Sequence, residues 1–257
     1  MLMVPAGHSF DFMRENNLWV EAHITRTDKR EDFQDYEPFI RSIHLPYSGI
    51  NLAAYDEEVR RASINKVKSA INKGAQYPVD RMVLHPCAVY SLAGDEVGTY
   101  GLAIDSLREI ADFMQVKGLI LLLENQVFRH PDTRIIGGCH SDDWFQLRKD
   151  IARGNVLLTL DSSHAASASA HEETHEKRIE KLWKFFDHPE LIGSFHWSDA
   201  RLKTDDCQWA DIHLTPGDGD LPREFHQAIW NHPAPKLLEQ HCADEDIARA
   251  LKFIATL

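Results

Sequence analysis

No stretch of this chain approaches the roughly 20 consecutive apolar residues that a membrane helix needs, so no membrane span is expected. The N-terminus, MLMVPAGHSFDFM, lacks both a basic start and a long apolar stretch, so no secretory signal is expected either. Cysteine is sparse: Cys87, Cys139, Cys207 and Cys242 are scattered without a C-x-x-C pair, which reads as a reduced, cytoplasmic protein. Positive charge is also in deficit, with 28 Lys and Arg against 40 Asp and Glu and a formal net charge of −12. That argues against a general polyanion binder, which normally shows a basic face. It does not exclude one, because metal-ligating carboxylates count as negative until loaded and a total hides local patches. Linkers, low-complexity segments and repeats are missing too, so residues 1–257 read as one domain.

What is present is a globular composition, 43% hydrophobic and 26% charged over 257 residues. Eight short apolar runs recur, each with a polar end: 2–6, 18–24, 39–46, 81–86, 118–125, 156–162, 193–199 and 236–241. Such runs fit strands buried on both faces. Helical patterns separate most of them, at Tyr55–Lys73, Tyr100–Val116, Asp143–Ala152, Thr174–Phe186 and Ala243–Ile254. Alternating strands and helices indicate βα units around a parallel sheet, and eight in about 250 residues is the size of a (β/α)8 TIM barrel. The first βα unit must be shortened, since only about a dozen residues separate the first two runs, too few for a full crossover helix.

The polar ends of the runs carry the chemistry. His44, His85, Glu124, Asp161, His196 and Glu239 stand 41, 39, 37, 35 and 43 residues apart, about one βα unit per step. In a barrel the C-terminal strand ends meet at one face, where active sites form. Three His and three carboxylates there suit a hard-to-borderline divalent metal. His164 follows Asp161 by three and can turn back to the same mouth. Asp211 and His213 form D-x-H, on one face if extended. Four carboxylates in one pocket repel unless cations sit between them, and nine donors suffice for two or three metals.

Each residue also has an ordinary structural reading. A strand-end His is commonly a hydrogen-bonded core residue, Glu124 could pair with Arg129, and Asp161 could cap a following turn. His44 and His85, each close before a proline, could simply start loops. The shared phase of the set favours a common site over these separate readings. His171 and His175 lie in the charged HEETHEKR, which reads as a solvated helix start. His140, His188, His226 and His232 read as surface residues, and Gly217-Asp218-Gly219 is too short to form a phosphate loop alone.

At these positions the sequence resembles the xylose isomerase-like barrel superfamily, and within it the endonuclease IV branch. The motifs are SIHLPYSGINLA (42–53), LHP (84–86), LLENQ (122–126), LDSSHA (160–165), FHWSDA (195–200), DIHLTPGDGDLP (211–222) and LLEQ (237–240), in the family's order. The sugar isomerases and epimerases of the superfamily generally hold one metal with a Glu, Asp, His, Glu tetrad, matched here by Glu124, Asp161, His196 and Glu239. The endonuclease IV branch adds ligands for three zinc ions, matched by His44, His85, His164, Asp211 and His213. Tyr47 matches a family position near the abasic nucleotide, and Asp199 is expected to orient His196 or another ligand near the substrate. HPC replaces HPG at 85–87 and HWSD replaces HLND at 196–199.

The resemblance implies a multinuclear zinc phosphoester hydrolase acting on a small phosphoester or on abasic DNA, a DNA-repair activity, with Glu124, Glu239 and His196 as catalytic residues. Its alternative is a mononuclear sugar isomerase or epimerase using Mn2+ or Mg2+, in which Glu124 or Glu239 moves the proton. No membrane association or obligate protein partner is expected.

Overall fold

The eight apolar runs become eight parallel strands. A computed structural model describes residues 1–24, 32–86, 98–128, 137–203, 211–240 and 243–257. Cys87, Cys207, Cys242 and Arg129 lie outside the described residues. The strands are β1 (Leu2–Pro5), β2 (Trp19–His23), β3 (Ile40–His44), β4 (Arg81–Leu84), β5 (Ile120–Glu124), β6 (Val156–Asp161), β7 (Ile192–Trp197) and β8 (Lys236–Leu238). They pair in chain order, and β8 closes on β1 through Leu2–Lys236 and Met3–Leu237, giving a closed barrel. Alternate strand residues such as Ile43, Leu121, Leu123, Leu158 and Leu160 are fully buried in the hydrophobic core.

The helices are α1 (Phe10–Glu15), α2 (Glu57–Gly74), α3 (Tyr100–Gln115), α4 (Ser141–Ile151), α5 (Ser162–Ser169), α6 (His175–Trp183), α7 (Arg223–Asn231) and α8 (Asp244–Ile254). The first crossover is short, as its spacing requires: α1 has six residues, is capped by Ser9 and buries only Met13. The second carries a 3-10 helix, Asp32–Phe39, interrupted by Pro38. Two expected boundaries move for local reasons. Helix α2 starts after Asp56, whose carboxylate accepts from the amides of Glu58 and Val59, and runs one residue further than expected, to Gly74. The expected 174–186 helix divides into α6 and a 3-10 turn, Lys184–Phe186.

Helices α5 and α7 were not expected. The sequence of α5, SSHAASAS, holds no large apolar residue and so shows no helical stripe. All eight of its residues are nevertheless buried. Among the described residues no helix is long and apolar enough to cross a membrane.

The loops above the barrel are tied down by close backbone contact. Ala54 and Gly98 form an isolated antiparallel bridge that joins the segment after β3 to the one before α3. A Cβ on Gly98 would lie 2.2 Å from the Ala53 carbonyl oxygen, a contact that backbone cannot relieve cheaply. Gly98→Ala is therefore expected to destabilise the chain by about 1–3 kcal/mol, as overpacking does. Chemical denaturation checks this, and an unchanged midpoint would mean that the bridge is dispensable.

Candidate metal centre

Each ring residue sits within one position of a strand's C-terminal end, so the barrel does the gathering. His44, Glu124 and Asp161 end β3, β5 and β6, His85 and Glu239 follow β4 and β8, and His196 is the penultimate residue of β7. Three donor groups result: His44, Glu124 and His196; Asp161, His164 and His213; and Glu124, Asp161, His196 and Glu239. Within each, one donor atom per residue lies within 4.8 Å of the others. Asp161 belongs to two groups and Glu124 to two, which makes one continuous cluster.

Asp161 combines both roles read for it. It is the N-cap of α5, where Oδ1 accepts from the His164 amide at 2.7 Å. The N-cap and third helical positions are neighbours, which returns His164 to the mouth. Its other oxygen, Oδ2, is buried and takes no hydrogen bond. The same holds for Glu124 Oε1, Glu239 Oε2, Asp211 Oδ1 and His196 Nδ1. Buried polar atoms are otherwise almost always satisfied. These five atoms, all on residues of the nine-member set, fit the donor chemistry of a divalent cation.

The histidines are oriented one nitrogen at a time. His44 Nδ1 donates to the Leu45 carbonyl at 2.8 Å, which leaves Nε2 facing Glu124 Oε2 at 3.2 Å. His164 Nδ1 donates to the Asn125 carbonyl at 2.7 Å, and its Nε2 faces Asp211 at 3.8 Å. Asn125 itself clamps β5 to β6, bonding the Asp161 amide and carbonyl at 2.7 and 3.0 Å. His85 Nε2 lies 3.0 Å from Glu124 Oε2, and His213 Nε2 lies 3.1 Å from Asp211 Oδ1. Tyr47, half exposed, sets its ring against His44 and His85, at centroid distances of 5.6 and 5.4 Å.

Of the two duties expected for Asp199, orienting His196 or another ligand, its contacts are with the segment that carries Asp211 and His213. Its carboxylate accepts from the amides of Ala200, Leu221 and Gly217 at 2.8, 3.1 and 2.9 Å, and from His226 Nε2 at 3.2 Å, not from His196. Trp197 Nε1 donates to His226 Nδ1 at 2.9 Å, which fixes the tautomer that donates to Asp199. The Asp199 backbone also pairs with Leu214 at 2.7 and 2.8 Å. Asp199 thus holds down the loop carrying Asp211 and His213. His226 is buried, at 1% exposure, where the sequence suggested surface, because this network removes it from water. His188 is exposed, whereas His140 and His232 are half-buried. His171 packs on Phe128 at 4.9 Å, while His175 opens α6. None of these five joins a donor group.

Two residues at the site escaped the sequence reading. Glu21, fully buried on β2, has Oε1 2.9 Å from His196 Nε2. His23, two residues on, stacks on His44 at 4.7 Å. The signal was the E-x-H of LWVEAHI, missed because His23 stands only 21 residues before His44, about half the step that separates the ring residues.

Charge is crowded enough to shift most of these groups. Burial raises the Asp161 carboxyl to about 8, and the Glu239 and Glu124 charges add to the shift. Burial alone would lower His164 and His213, but neighbouring carboxylates outweigh it and raise them to about 9 and about 10. Burial opposes ionisation of Asp211, yet the His164 and His213 cations bring it to about 2. His23 is lowered to about 4, by burial and then by His44.

Residues 10–257 match a family profile described as xylose isomerase-like TIM barrel. An uncharacterized protein of Methanocaldococcus jannaschii is 27% identical over 180 residues, which cover 70% of this chain and 56% of that relative. The match thus spans little more than half of the relative's length. A crystal structure of D-psicose 3-epimerase in the presence of D-fructose superposes with a TM-score of 0.67 at 16% identity, covering 98% of each chain. A structure of the IOLI protein with a bound zinc atom superposes with a TM-score of 0.69 at 15% identity, covering 100% of this chain and 97% of that one. At these identities the likeness is one of fold.

Two outcomes follow from the geometry. In metal-free protein, Asp161, His164 and His213 hold protons more tightly folded than unfolded. Their contribution is complete below the unfolded values and is lost as pH rises through about 8, 9 and 10. Melting temperature with excess chelator should therefore fall between pH 7 and 10, and a flat profile would contradict the clustering. Separately, a Cβ on Gly219 would lie 2.2 Å from Asp199 Oδ1 and 2.6 Å from the Ala200 carbonyl oxygen. Gly219→Ala should displace the Asp211–His213 loop and weaken metal binding in a calorimetric titration; unaltered binding would detach that loop from the centre.

Proposed function

The chain belongs to the xylose isomerase-like TIM barrel family, and we propose that it is a metal-dependent isomerase or epimerase of a sugar or related polyhydroxylated carbonyl compound. One observation carries this reading: Glu124, Asp161, His196 and Glu239 form a four-residue donor group with two glutamates on separate strands. Glu124 Oε1 and Glu239 Oε2 approach the same His196 Nδ1, at 3.3 and 3.0 Å. The resemblance to D-psicose 3-epimerase in fold supports the same assignment.

These four side chains would hold one divalent cation, Mn2+, Mg2+ or Zn2+, by two or more carboxylate oxygens and one imidazole nitrogen. When bound, the metal would polarise a carbonyl and its neighbouring hydroxyl. Glu124 and Glu239 reach the pocket from β5 and β8, so one can take a proton from the carbon beside the carbonyl while the other returns one. Glu124 is 1% exposed and Glu239 8%, and this near-complete burial keeps bulk water from competing for that proton. The rings of Tyr47, His44 and His85 supply a wall against which a sugar face can rest.

A second reading has its own observation. Asp161, His164 and His213 form a further donor group beside the tetrad, with Asp211 adjoining. That surplus supports a multinuclear zinc phosphoester hydrolase of the endonuclease IV kind, with abasic DNA or a small phosphoester as substrate. Metal content together with activity on a ketose and aldose panel and on an abasic-site duplex separates the two. About one metal with sugar turnover supports the isomerase; about three zinc ions with duplex cleavage supports the hydrolase.

Glu239→Gln keeps the shape of the side chain and removes its charge. In the isomerase it should lower turnover on the order of 10²–10⁴-fold while the remaining ligands retain a metal. Activity and bound metal are measured on one sample. Full turnover would remove Glu239 from the reaction, and loss of the metal along with turnover would favour a bridging duty.

A further inference from the structure

Glu21 sits on β2, a strand that contributes none of the nine ring residues. It is 0% exposed, and its recorded ion pair is with His196 Nε2, at 2.9 Å. No Lys or Arg among the described residues pairs with it. A buried carboxylate whose partner is a histidine, cationic only when protonated, is costly to the fold. The chain reaches it by a register shift between Val20 and Glu21 that sets Glu21 opposite Ser42.

The other oriented histidines give the clue. His44 and His164 each donate Nδ1 to a backbone carbonyl while Nε2 faces Glu124 and Asp211 respectively, and His164 Nδ1 also lies 3.3 Å from Glu124 Oε1. His196 is reversed: Nδ1 faces Glu124 and Glu239, and Nε2 faces Glu21. It lies inside β7, where the neighbouring carbonyls are committed to the ladder with β6 and β8. Among the described residues no backbone carbonyl accepts from its ring, so a side chain must serve.

Resting on the metal-centre reading above, we propose that Glu21 is a positioning residue: it accepts the Nε2 proton of His196 and so presents Nδ1 as the unprotonated metal-binding nitrogen. Both nitrogens and both Glu21 oxygens lack an aligned hydrogen bond, although the pair is in contact. A carboxylate behind a ligating histidine fixes its tautomer and raises its basicity. Glu21 touches neither metal nor substrate and acts only through His196.

The test is a Zn2+ titration of wild type, Glu21→Leu and Glu21→Gln against a chromophoric chelator, with the melting temperature of each metal-free protein. Glu21→Leu should bind Zn2+ about 10–100-fold more weakly, the usual cost of losing such a partner. The metal-free melting temperatures establish that each variant is folded, since removing one partner of a buried pair can itself cost stability. Glu21→Gln keeps an acceptor oxygen and should recover most of the affinity. Equal Zn2+ affinity in all three proteins would overturn the proposal. So would a folded Glu21→Gln that binds Zn2+ as weakly as Glu21→Leu, because an acceptor at this position would then not set the tautomer. A wild type that binds no Zn2+ would instead overturn the reading of the ring itself.

Discussion

Mutual repulsion between buried carboxylates governs the upper half of this barrel. Glu21, Glu124, Asp161, Asp211 and Glu239 crowd the C-terminal mouth, four of them at most 8% exposed. In such a medium like charges cannot all remain ionised without positive charge between them. The chain supplies histidines, and the raised values of His164 and His213 record how strongly the carboxylates hold protons there. Protons and metal cations therefore compete for the same cluster, so metal binding must be linked to proton release.

The rest of the fold can be understood as support for this arrangement. The lower strand residues are apolar and closely packed, while the layer under the ring turns polar, with Thr159 and Ser194 hydrogen-bonded at 2.6 Å. Small side chains in α5 let it pack in close contact with β6 and β7, which brings His164 to the mouth. Asp199, His226 and Trp197 fasten the 211–222 loop from behind. His213 itself adopts a left-handed backbone, with φ of 45°, a conformation uncommon for a residue with a side chain. The dense anchoring of its neighbours sustains that strain.

The two functional readings differ in how much of the donor set the chemistry uses. A proton-shuttling isomerase needs the tetrad and treats His44, His85, His164, Asp211 and His213 as surroundings. A multinuclear hydrolase uses all nine. The net charge of −12 weighs toward the smaller substrate.

Much of the fold was legible because strand ends repeat at the length of a βα unit, and parallel closure then brings them together. His44, His85, Glu124, Asp161, His196 and Glu239 were readable for that reason, and His164 from its three-residue spacing. Helix α5 was not, since small residues leave no hydrophobic period, and neither was buried His226, whose burial depends on partners 27 and 29 residues away. Sequence by itself determined that the six strand-end residues stand at the barrel mouth, because periodicity along the chain sets strand phase. Only the tertiary structure decided that Asp199 serves the loop rather than His196, and that Glu21 stands behind His196. Those pairings are set by side-chain direction and register between strands distant in sequence, which no spacing along one chain encodes.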